Sequence, residues 1–232
     1  MTLSWPKANL APKSISVDLS PRPVGGVPSI TGGMQWLQSD AGCWLITYSG
    51  VELMNATNIK LFRALARLLN GPGTPIMVPV FEMDDRVPWP TSGGVQVTKY
   101  NPVLHSDSTY FSDGSGYYQP VIDAYAAAAP LRATSLTVTW NYGGTLVGGE
   151  FFSIDEGLYQ IATVVQTSAG PPVIYQITFL PPLRAALGAS TALNFDDPRA
   201  RCILSGTTDM THDLQSGVFA EPNVNWIEDF PL

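Results

Sequence analysis

Apolar and polar residues alternate one by one near the start of the chain, from Ser14 to Ser20, with Ile15 and Leu19 in phase. A period of two is typical of a β-strand that buries one face. Pro21 and Pro23 follow directly. Because proline cannot donate a ladder hydrogen bond, these two residues predict the end of the strand. The chain is therefore expected to open with a half-buried strand and a loop rich in glycine and proline.

Two further β-prone segments follow, Met34–Gln38 and Cys43–Tyr48. The sequence Asp40-Ala41-Gly42 between them favours a turn, so the pattern predicts a hairpin. Farther along, Thr74–Phe81 has the composition of a buried strand. Pro79 inside this segment predicts that the strand lies at a sheet edge or contains a bulge.

One amphipathic helix is predicted over residues 57–70. Apolar side chains recur there at helical spacing, and either Thr57 or Asn55 can cap the N-terminus. A Gly-Pro-Gly sequence at 71–73 stops the pattern, as glycine and proline do after a helix. This is the only segment for which the pattern clearly indicates a helix.

The region between the helix and the C-terminal half is less regular. Residues 84–120 are rich in glycine, proline, serine and tyrosine, with one short strand expected at Val95–Lys99. A loop of this length is usually functional or becomes ordered against a partner. Val121–Leu131 is rich in alanine but lacks a clear stop, and helix and strand are equally open there.

From residue 133 onward β signals dominate, and the fold class is mainly β. We expect a β-sandwich or barrel-like fold with one helix and long Gly/Pro-rich loops. It forms a single hub-type domain over 1–232, with 84–120 as an excursion and 133–205 as the β-rich C-terminal half. Residues 218–232 form either a pairing strand or an arm. The other predicted strands are Ser135–Trp140, Glu150–Ile154, Leu158–Gln166, Val173–Leu180, Ala192–Phe195 and Arg201–Leu204.

Charge changes the picture of the surface. Only 13% of the residues are charged, and the formal net charge is −7. An acidic chain does not seek nucleic-acid phosphates or an anionic membrane, because both bind through Lys and Arg. Interface cores are depleted in charge. The composition therefore favours a subunit whose surface is largely covered by neighbours.

Two cysteines, Cys43 and Cys202, are far apart and follow no pattern, so we expect buried free thiols. The segment Met1–Leu10 lacks the apolar core of a signal peptide, and no stretch reaches the ~18 apolar residues of a membrane span. We therefore expect a protein that stays in the cytoplasm or leaves by a route other than a secretion signal.

Two acid pairs stand out, Asp84-Asp85 and Asp196-Asp197. Two carboxylates can serve a hydrolase as acid and base. Adjacent acids on a loop point in different directions, however, and Asp-rich sequences are common in turns. The turn interpretation is the stronger one, and no catalytic residue is predicted here.

Asp107 and Asp113 lie in a serine-rich loop that has oxygen ligands for calcium, but their spacing does not match the helix-loop-helix calcium pattern. His105 and His212 are the only histidines, and neither has a second ligand at metal-binding spacing. The sequence therefore predicts no metal, no cofactor and no catalytic site.

Candidate contacts between copies are easier to name. Lys60, Arg63 and Arg67 fall on one stripe of the predicted helix. These cations either face acids of an adjacent copy or form an ordinary solvated helix face, and both interpretations stay open. The aromatic candidates for contact with a neighbour are Trp89, Tyr110, Tyr117, Tyr118 and Trp226.

Two stretches carry a family resemblance, Cys43–Phe81 and Gly148–Pro198. The second contains Gly-Leu-Tyr-Gln-Ile at 157–161, Pro-Pro-Leu-Arg-Ala at 181–185 and Asn-Phe-Asp-Asp-Pro at 194–198. In this order the motifs resemble those of tail and baseplate proteins of long-tailed bacteriophages. They are most similar to the distal tail protein, the hub family. The chain departs from many members in showing no distinct outer domain.

The resemblance implies a ring of copies, expected to be hexameric, at the distal tail or baseplate. Such a ring joins the tail tube protein to tip or fibre proteins in the virion, after assembly in the host cytoplasm. Another tail component, such as a tail-completion or minor tail protein, is the first alternative. A carbohydrate-binding β-sandwich module is the second, and a glycosidase-like enzyme is the third.

Overall fold

A computed structural model describes residues 3–25, 36–81, 86–92, 95–96, 107, 109, 112, 122–207, 209–211, 214 and 219–229; for residues 21–25, 36–41, 92 and 95–96 it describes the backbone alone. The described chain is mainly β with one α-helix, which confirms the predicted fold class. The elements are β1 Leu3–Ser4, β2 Pro12–Gly25, β3 Trp36–Val51, α1 Ala56–Leu69, a 3₁₀ turn at Gly71–Gly73, β4 Ile76–Pro79, β5 Thr91–Ser92, β6 Val95–Gln96, β7 Asp123–Ala126, β8 Ser135–Tyr142, β9 Phe151–Ile154, β10 Gly157–Ser168, β11 Val173–Leu180, β12 Thr191–Ala192, β13 Arg199–Leu204 and β14 Val224–Glu228.

The chain forms two compact units. Unit 1 comprises Met1–Phe81, Glu156–Leu158 and Arg199–Leu232, and unit 2 comprises Glu82–Asp155 and Tyr159–Pro198. The whole of unit 2 thus lies in the chain between β4 and β13, which are neighbours in the unit 1 sheet. The sequence analysis expected a single hub-type domain over 1–232. The division into two units does not test that expectation, which stays a prediction.

Unit 1 contains a six-stranded sheet in the order β1-β4-β13-β14-β3-β2. Its buried face carries an aromatic cluster, because alternate residues of the strands are large and apolar. The Trp5 ring lies edge-on to Tyr48 and to Trp226, with both centroid separations 5.5 Å. Such pairs contribute about 0.5–1.5 kcal/mol beyond their buried area.

The β2–β3 hairpin corrects two sequence predictions. The strand does not end at Pro21, because β2 continues to Gly25 after a register shift between Ser20 and Arg22. β2 is the outermost of the described strands in its sheet, and an outermost strand tolerates proline where its nitrogen points away from the neighbouring strand. The turn predicted at 40–42 is also wrong. Gly42 instead lies within β3, where an added Cβ would be 3.1 Å from Leu19, so strand pairing overrides local turn chemistry.

The predicted helix is confirmed. Of the two proposed caps, Asn55 is the one used, and its side chain accepts the Asn58 N–H at 2.8 Å. Asn70 ends the helix in the left-handed conformation, with φ 48°. The residues that the helix buries are Ile59, Phe62, Leu65 and Leu69.

Unit 2 contains a six-stranded sheet, in the order β12-β7-β8-β11-β10-β9. Ser153, in the edge strand β9, exchanges backbone hydrogen bonds with Asn194, which closes the sheet into a barrel-like form. Its core contains stacked and edge-on aromatic rings, with Phe152 5.4 Å from Tyr159 and 5.4 Å from Phe195. Closure leaves this sheet without a long free edge among the described strands.

Most predicted strands of the C-terminal half are confirmed in kind, and Val173–Leu180 agrees in both bounds. The open segment 121–131 contains a strand, β7, and the chain end contains a pairing strand, β14. β4 lies between β1 and β13, but β1 pairs only with Ile76 and Met77. Pro79, the last residue of β4, pairs with Arg199 of β13, and no described strand pairs with it on the other side, as the predicted edge position requires. Cys43 and Cys202 are buried free thiols, as expected.

Candidate interaction surface

The exposed side of α1 carries positive charge around a small apolar centre. Lys60, Arg63 and Arg67 are all exposed, and Ala64 and Leu68 lie among them. Leu68 is 62% exposed. An apolar centre with a polar rim is the anatomy of a protein interface.

A groove of about 410 Å³ adjoins the C-terminal half of α1. Arg63 and Arg67 line it from the helix, and Asn70 lines it just beyond the helix end. Thr207 and Thr211 line the opposite side, after β13. Guanidinium, amide and hydroxyl groups all donate hydrogen bonds, so the groove presents donors from two separate segments.

Apolar side chains complete the groove, namely Ala66, Leu204 and Met210. Leu204 and Met210 are both buried, so they form its floor. No described groove residue is acidic. Asp209 is adjacent in sequence, but its carboxylate accepts hydrogen bonds from Ser205 at 2.8 Å and from Asn225 at 2.9 Å.

The predicted aromatic contacts fare differently. Trp89 was expected to be exposed, but it is 4% exposed and packs in the core of unit 2. Trp226 is 1% exposed and packs against Trp5 and Tyr48 in unit 1. Both are corrections, since their own units already bury these rings. Tyr110, Tyr117 and Tyr118 lie outside the described residues.

Elsewhere in unit 1, Arg201 connects two acids. Its guanidinium lies 2.7 Å from the Glu156 carboxylate and 3.0 Å from that of Asp229. The hydrogen bond to Glu156 is the largest cause that raises the pKa of Arg201. This arginine therefore joins Glu156, between β9 and β10, to Asp229, just after β14.

The acid pairs and the calcium candidate have structural roles where they are described. The Asp197 N–H donates to the Asn194 side chain at 3.0 Å, which is turn chemistry. Asp107 is exposed, and the hydrogen bond from the Thr109 hydroxyl lowers its pKa. Asp84, Asp85, Asp113, His105 and His212 lie outside the described residues. Within the described part, no group of three metal-ligating side chains occurs.

Two motifs of the second stretch, Gly148–Pro198, are joined by a hydrogen bond in the barrel-like unit. The Tyr159 hydroxyl accepts the Arg184 N–H at 3.1 Å, which joins the Leu-Tyr-Gln-Ile segment to the Pro-Pro-Leu-Arg segment. The Glu150 carboxylate accepts the Val147 and Gly148 N–H groups, both at 2.7 Å. These motif residues therefore hold unit 2 in shape.

The outer strand of the unit 1 sheet is long and only partly protected. β2 has 14 residues and is hydrogen-bonded to β3 on one side. Among the described residues no strand pairs its other side. Prolines at 12, 21 and 23 leave 13–20 free of proline, and Ile15 and Val17 within it are only half-buried. Within the described part of the chain, this stretch is therefore an unpaired edge, and such an edge can accept a strand.

Comparison with known proteins adds no identification. No protein-family model matches the chain. A search of curated proteins finds no significant match either. In the described part of the chain, no helix has both the length and the hydropathy to cross a membrane.

The sequence pattern identified half of the groove. It placed the cations on one helical stripe, but it gave no reason to pair them with residues 204–211. Those residues meet the helix because the 3₁₀ turn that follows α1 packs against β13. The helical stripe is visible in the local sequence pattern, whereas no local pattern indicates that residues 204–211 face the helix.

Proposed function

We propose that this chain is a non-enzymatic structural subunit of a bacteriophage tail. Copies form a ring, expected to contain six subunits, at the distal tail or baseplate. The ring joins the tail tube to tip or fibre proteins. The order of the sequence motifs supports the tail assignment, and the free β2 edge is the observation that supports assembly into a ring.

The edge supports assembly because an unpaired strand is a template for another strand. Residues 13–20 offer a proline-free row of backbone groups, and the half-buried Ile15 and Val17 beside them gain further burial when covered. The sheet of unit 2 closes on itself, so the comparable opportunity among the described strands lies in unit 1. A head-to-tail contact of this kind generates a ring when the rotation closes.

Charge is consistent with the same role. The chain has 19 acidic and 12 basic residues. A ring at the end of a tail tube surrounds the path of DNA, and an acidic lumen repels phosphates and prevents sticking. An acidic subunit suits this position without any sequence-specific contact to nucleic acid.

The test is the molar mass of the purified chain, measured by light scattering over a range of protein concentrations. We expect a closed oligomer near six copies, or a concentration-dependent rise towards it, and rings in negative-stain images. A mass equal to one chain at every concentration would count against the ring.

Two alternatives remain distinguishable. Another tail component, such as a tail-completion protein, would differ in copy number and in position within the virion. A carbohydrate-binding module would need exposed aromatic rings. Five of the six tryptophans have described side chains, and all five are buried. Titration with glycans, followed by tryptophan fluorescence, separates this alternative from an assembly role.

A further inference from the structure

The backbone groups of β2 that point away from its sheet can be identified by following the hydrogen bonds across unit 1. In an antiparallel sheet, a residue directs its N–H and its C=O to the same side, and the next residue directs both to the other side. The Ser205 N–H donates to the Asn225 carbonyl at 2.9 Å. The Asp229 N–H, just after β14, donates to the Arg201 carbonyl at 3.0 Å. Odd-numbered residues of β14 therefore bond to β13, and even-numbered residues face β3.

The same alternation continues through β3 into β2. Trp226 of β14 is opposite Ile46, so the even-numbered residues of β3 face β14 and the odd-numbered residues face β2. Thr47 of β3 is opposite Ser16, so the even-numbered residues of β2 bond to β3. The odd-numbered residues of this stretch then direct their N–H and C=O away from the sheet. We call these three residues the outward row, and they are Ile15, Val17 and Leu19.

The outward row is short and has a defined end on each side. Pro12 precedes it and Pro21 follows it, and proline has no N–H to donate. A register shift between Ser20 and Arg22 also interrupts the pairing with β3. Each residue of the row has one N–H and one C=O to offer, and its apolar side chain is half-buried on the core face of the sheet. The row therefore fits a short extended segment that brings apolar side chains to the same face.

The row is complementary to itself. A two-fold axis perpendicular to the sheet at Val17 places Val17 opposite its own counterpart and Ile15 opposite Leu19 of the partner subunit. Every member of the row then pairs with another member, and all of the apolar side chains lie on one face. An axis one residue to either side leaves a member of the row opposite Lys13 or Pro21. The pairing centred on Val17 is therefore the one that uses the whole row.

We propose that free copies of this chain pair two-fold through β2, in an antiparallel contact centred on Val17 that joins two six-stranded sheets into one. The polar face fits this contact, because Asp18 lies opposite Ser16 of the partner subunit and no like charges are directly opposed. The second copy is the best-matched occupant among the described strand edges. The other edge strand of the unit 1 sheet, β1, has two residues, and the unit 2 sheet closes on itself.

This pair has a consequence for assembly. The proposed ring uses the same edge in a head-to-tail contact, and one edge cannot accept two strands. The two-fold pair is therefore a reserve form of the free subunit, and it opens before β2 enters a ring contact. The pair itself follows from the register of the sheet alone, whereas its role as a reserve rests on the proposed ring.

The first experiment reads the register by disulfide formation between two variants, Ser16→Cys and Asp18→Cys. Opposed residues that are not hydrogen-bonded have Cα atoms about 4.5 Å apart, which a disulfide can span. Diagonal neighbours are about 7–8 Å apart, which is too far. A mixture of the two variants should therefore give a linked dimer on a non-reducing gel after mild oxidation, and each variant alone should not. Both positions are exposed, and the native cysteines are buried.

The matched control is a mixture of the Ser14→Cys and Asp18→Cys variants. Position 14 is exposed on the same face, but it is opposite position 18 only when the axis lies at Ser16. This mixture should give no linked dimer. A link between positions 14 and 18, with none between positions 16 and 18, would overturn the pairing centred on Val17.

The second experiment is amide hydrogen exchange of wild type, followed by NMR at low and high protein concentration. The amides of the outward row should exchange fast in dilute solution. When about nine-tenths of the chains are paired, their exchange should slow about ten-fold, because only the unpaired chains exchange. The amides of Ser16 and Asp18 bond to β3 and should be protected at both concentrations. Equal behaviour of the two sets of amides would overturn the assignment of the row.

The outcomes separate the pair from the ring. If wild type assembles but the Ser16→Cys and Asp18→Cys mixture gives no link, the pair is refuted and the ring stands. If the link forms but wild type never exceeds the mass of two chains, the pair stands and the ring is contradicted. The linked dimer should stay at the mass of two chains until a reductant is added. A linked dimer that assembles as readily as wild type would refute the reserve role.

Discussion

Replacing Gly144 by alanine should destabilise unit 2. The residue follows β8, and its N–H donates to the Pro88 carbonyl at 2.7 Å, which brings two distant segments into direct backbone contact. A Cβ added at Gly144 would lie 2.4 Å from the Trp89 carbonyl oxygen and 3.0 Å from the Pro88 carbonyl. Ordinary contact begins at 3.4 Å, so one backbone must move by about 1 Å. Both obstacles are backbone atoms, and rotation of a side chain cannot relieve the overlap.

Overpacking of this kind costs about 1–3 kcal/mol, and we expect the upper part of that range because backbone must shift. For a chain of this length the Tm should then fall by about 4–12 °C. Thermal unfolding followed by circular dichroism and tryptophan fluorescence measures it. Gly188→Ala is the matched control, since an added Cβ there meets nothing within 4 Å. A Gly144→Ala protein that unfolds at the temperature of the control would refute the reasoning.

Three other predictions test separate features. Glu228→Ala should lower the free energy of unfolding by about 1–3 kcal/mol, because the buried carboxylate accepts the Trp44 N–H at 2.9 Å. Glu228→Gln keeps an acceptor and should lose less. Urea titration in which the glutamine variant is no more stable than the alanine variant would contradict this role. Burial raises the pKa of the Cys202 thiol, so its stabilising contribution is complete below about pH 8.5 and is lost as the pH rises towards the folded-state pKa. The Tm of Cys202→Ala should therefore fall less steeply than that of wild type between about pH 7 and pH 10, and parallel curves would argue against it. Val17→Lys places a charge on the half-buried face of the β2 edge and should raise the protein concentration needed for assembly, measured by light scattering. Ser135→Lys, on the closed barrel-like sheet, is the control and should leave that concentration unchanged.

Local signals predicted the elements whose cause is local. The helix follows from apolar spacing, a capping asparagine and a terminal glycine, and Asn55 and Gly71 are where those rules place them. The strand Val173–Leu180 follows from alternation bounded by turn residues, and its bounds agree. In these segments nothing distant in the chain competes with the local preference.

The errors arose where a distant partner decides the outcome. Asp40-Ala41-Gly42 has turn composition, but β2 pairs along β3 through this point, and Gly42 accommodates the Leu19 side chain. Trp89 lies among prolines and has the local sequence of an exposed loop. It is buried because the segment that contains Gly144 packs against it. The local sequence around these residues does not indicate that β2 pairs with the first segment or that the Gly144 segment packs against the second.

The insertion of unit 2 between β4 and β13 has a consequence for the order of folding. These strands pair directly, with Pro79 opposite Arg199, although the inserted residues separate them in sequence. Closing so long a loop as an unfolded chain is entropically costly and slow. A folded insert restricts the loop before the strands meet. We therefore expect a change confined to the insert, such as Gly144→Ala, to slow completion of the unit 1 sheet in stopped-flow refolding. The supply of assembly-competent subunits would then depend on residues that lie outside that sheet.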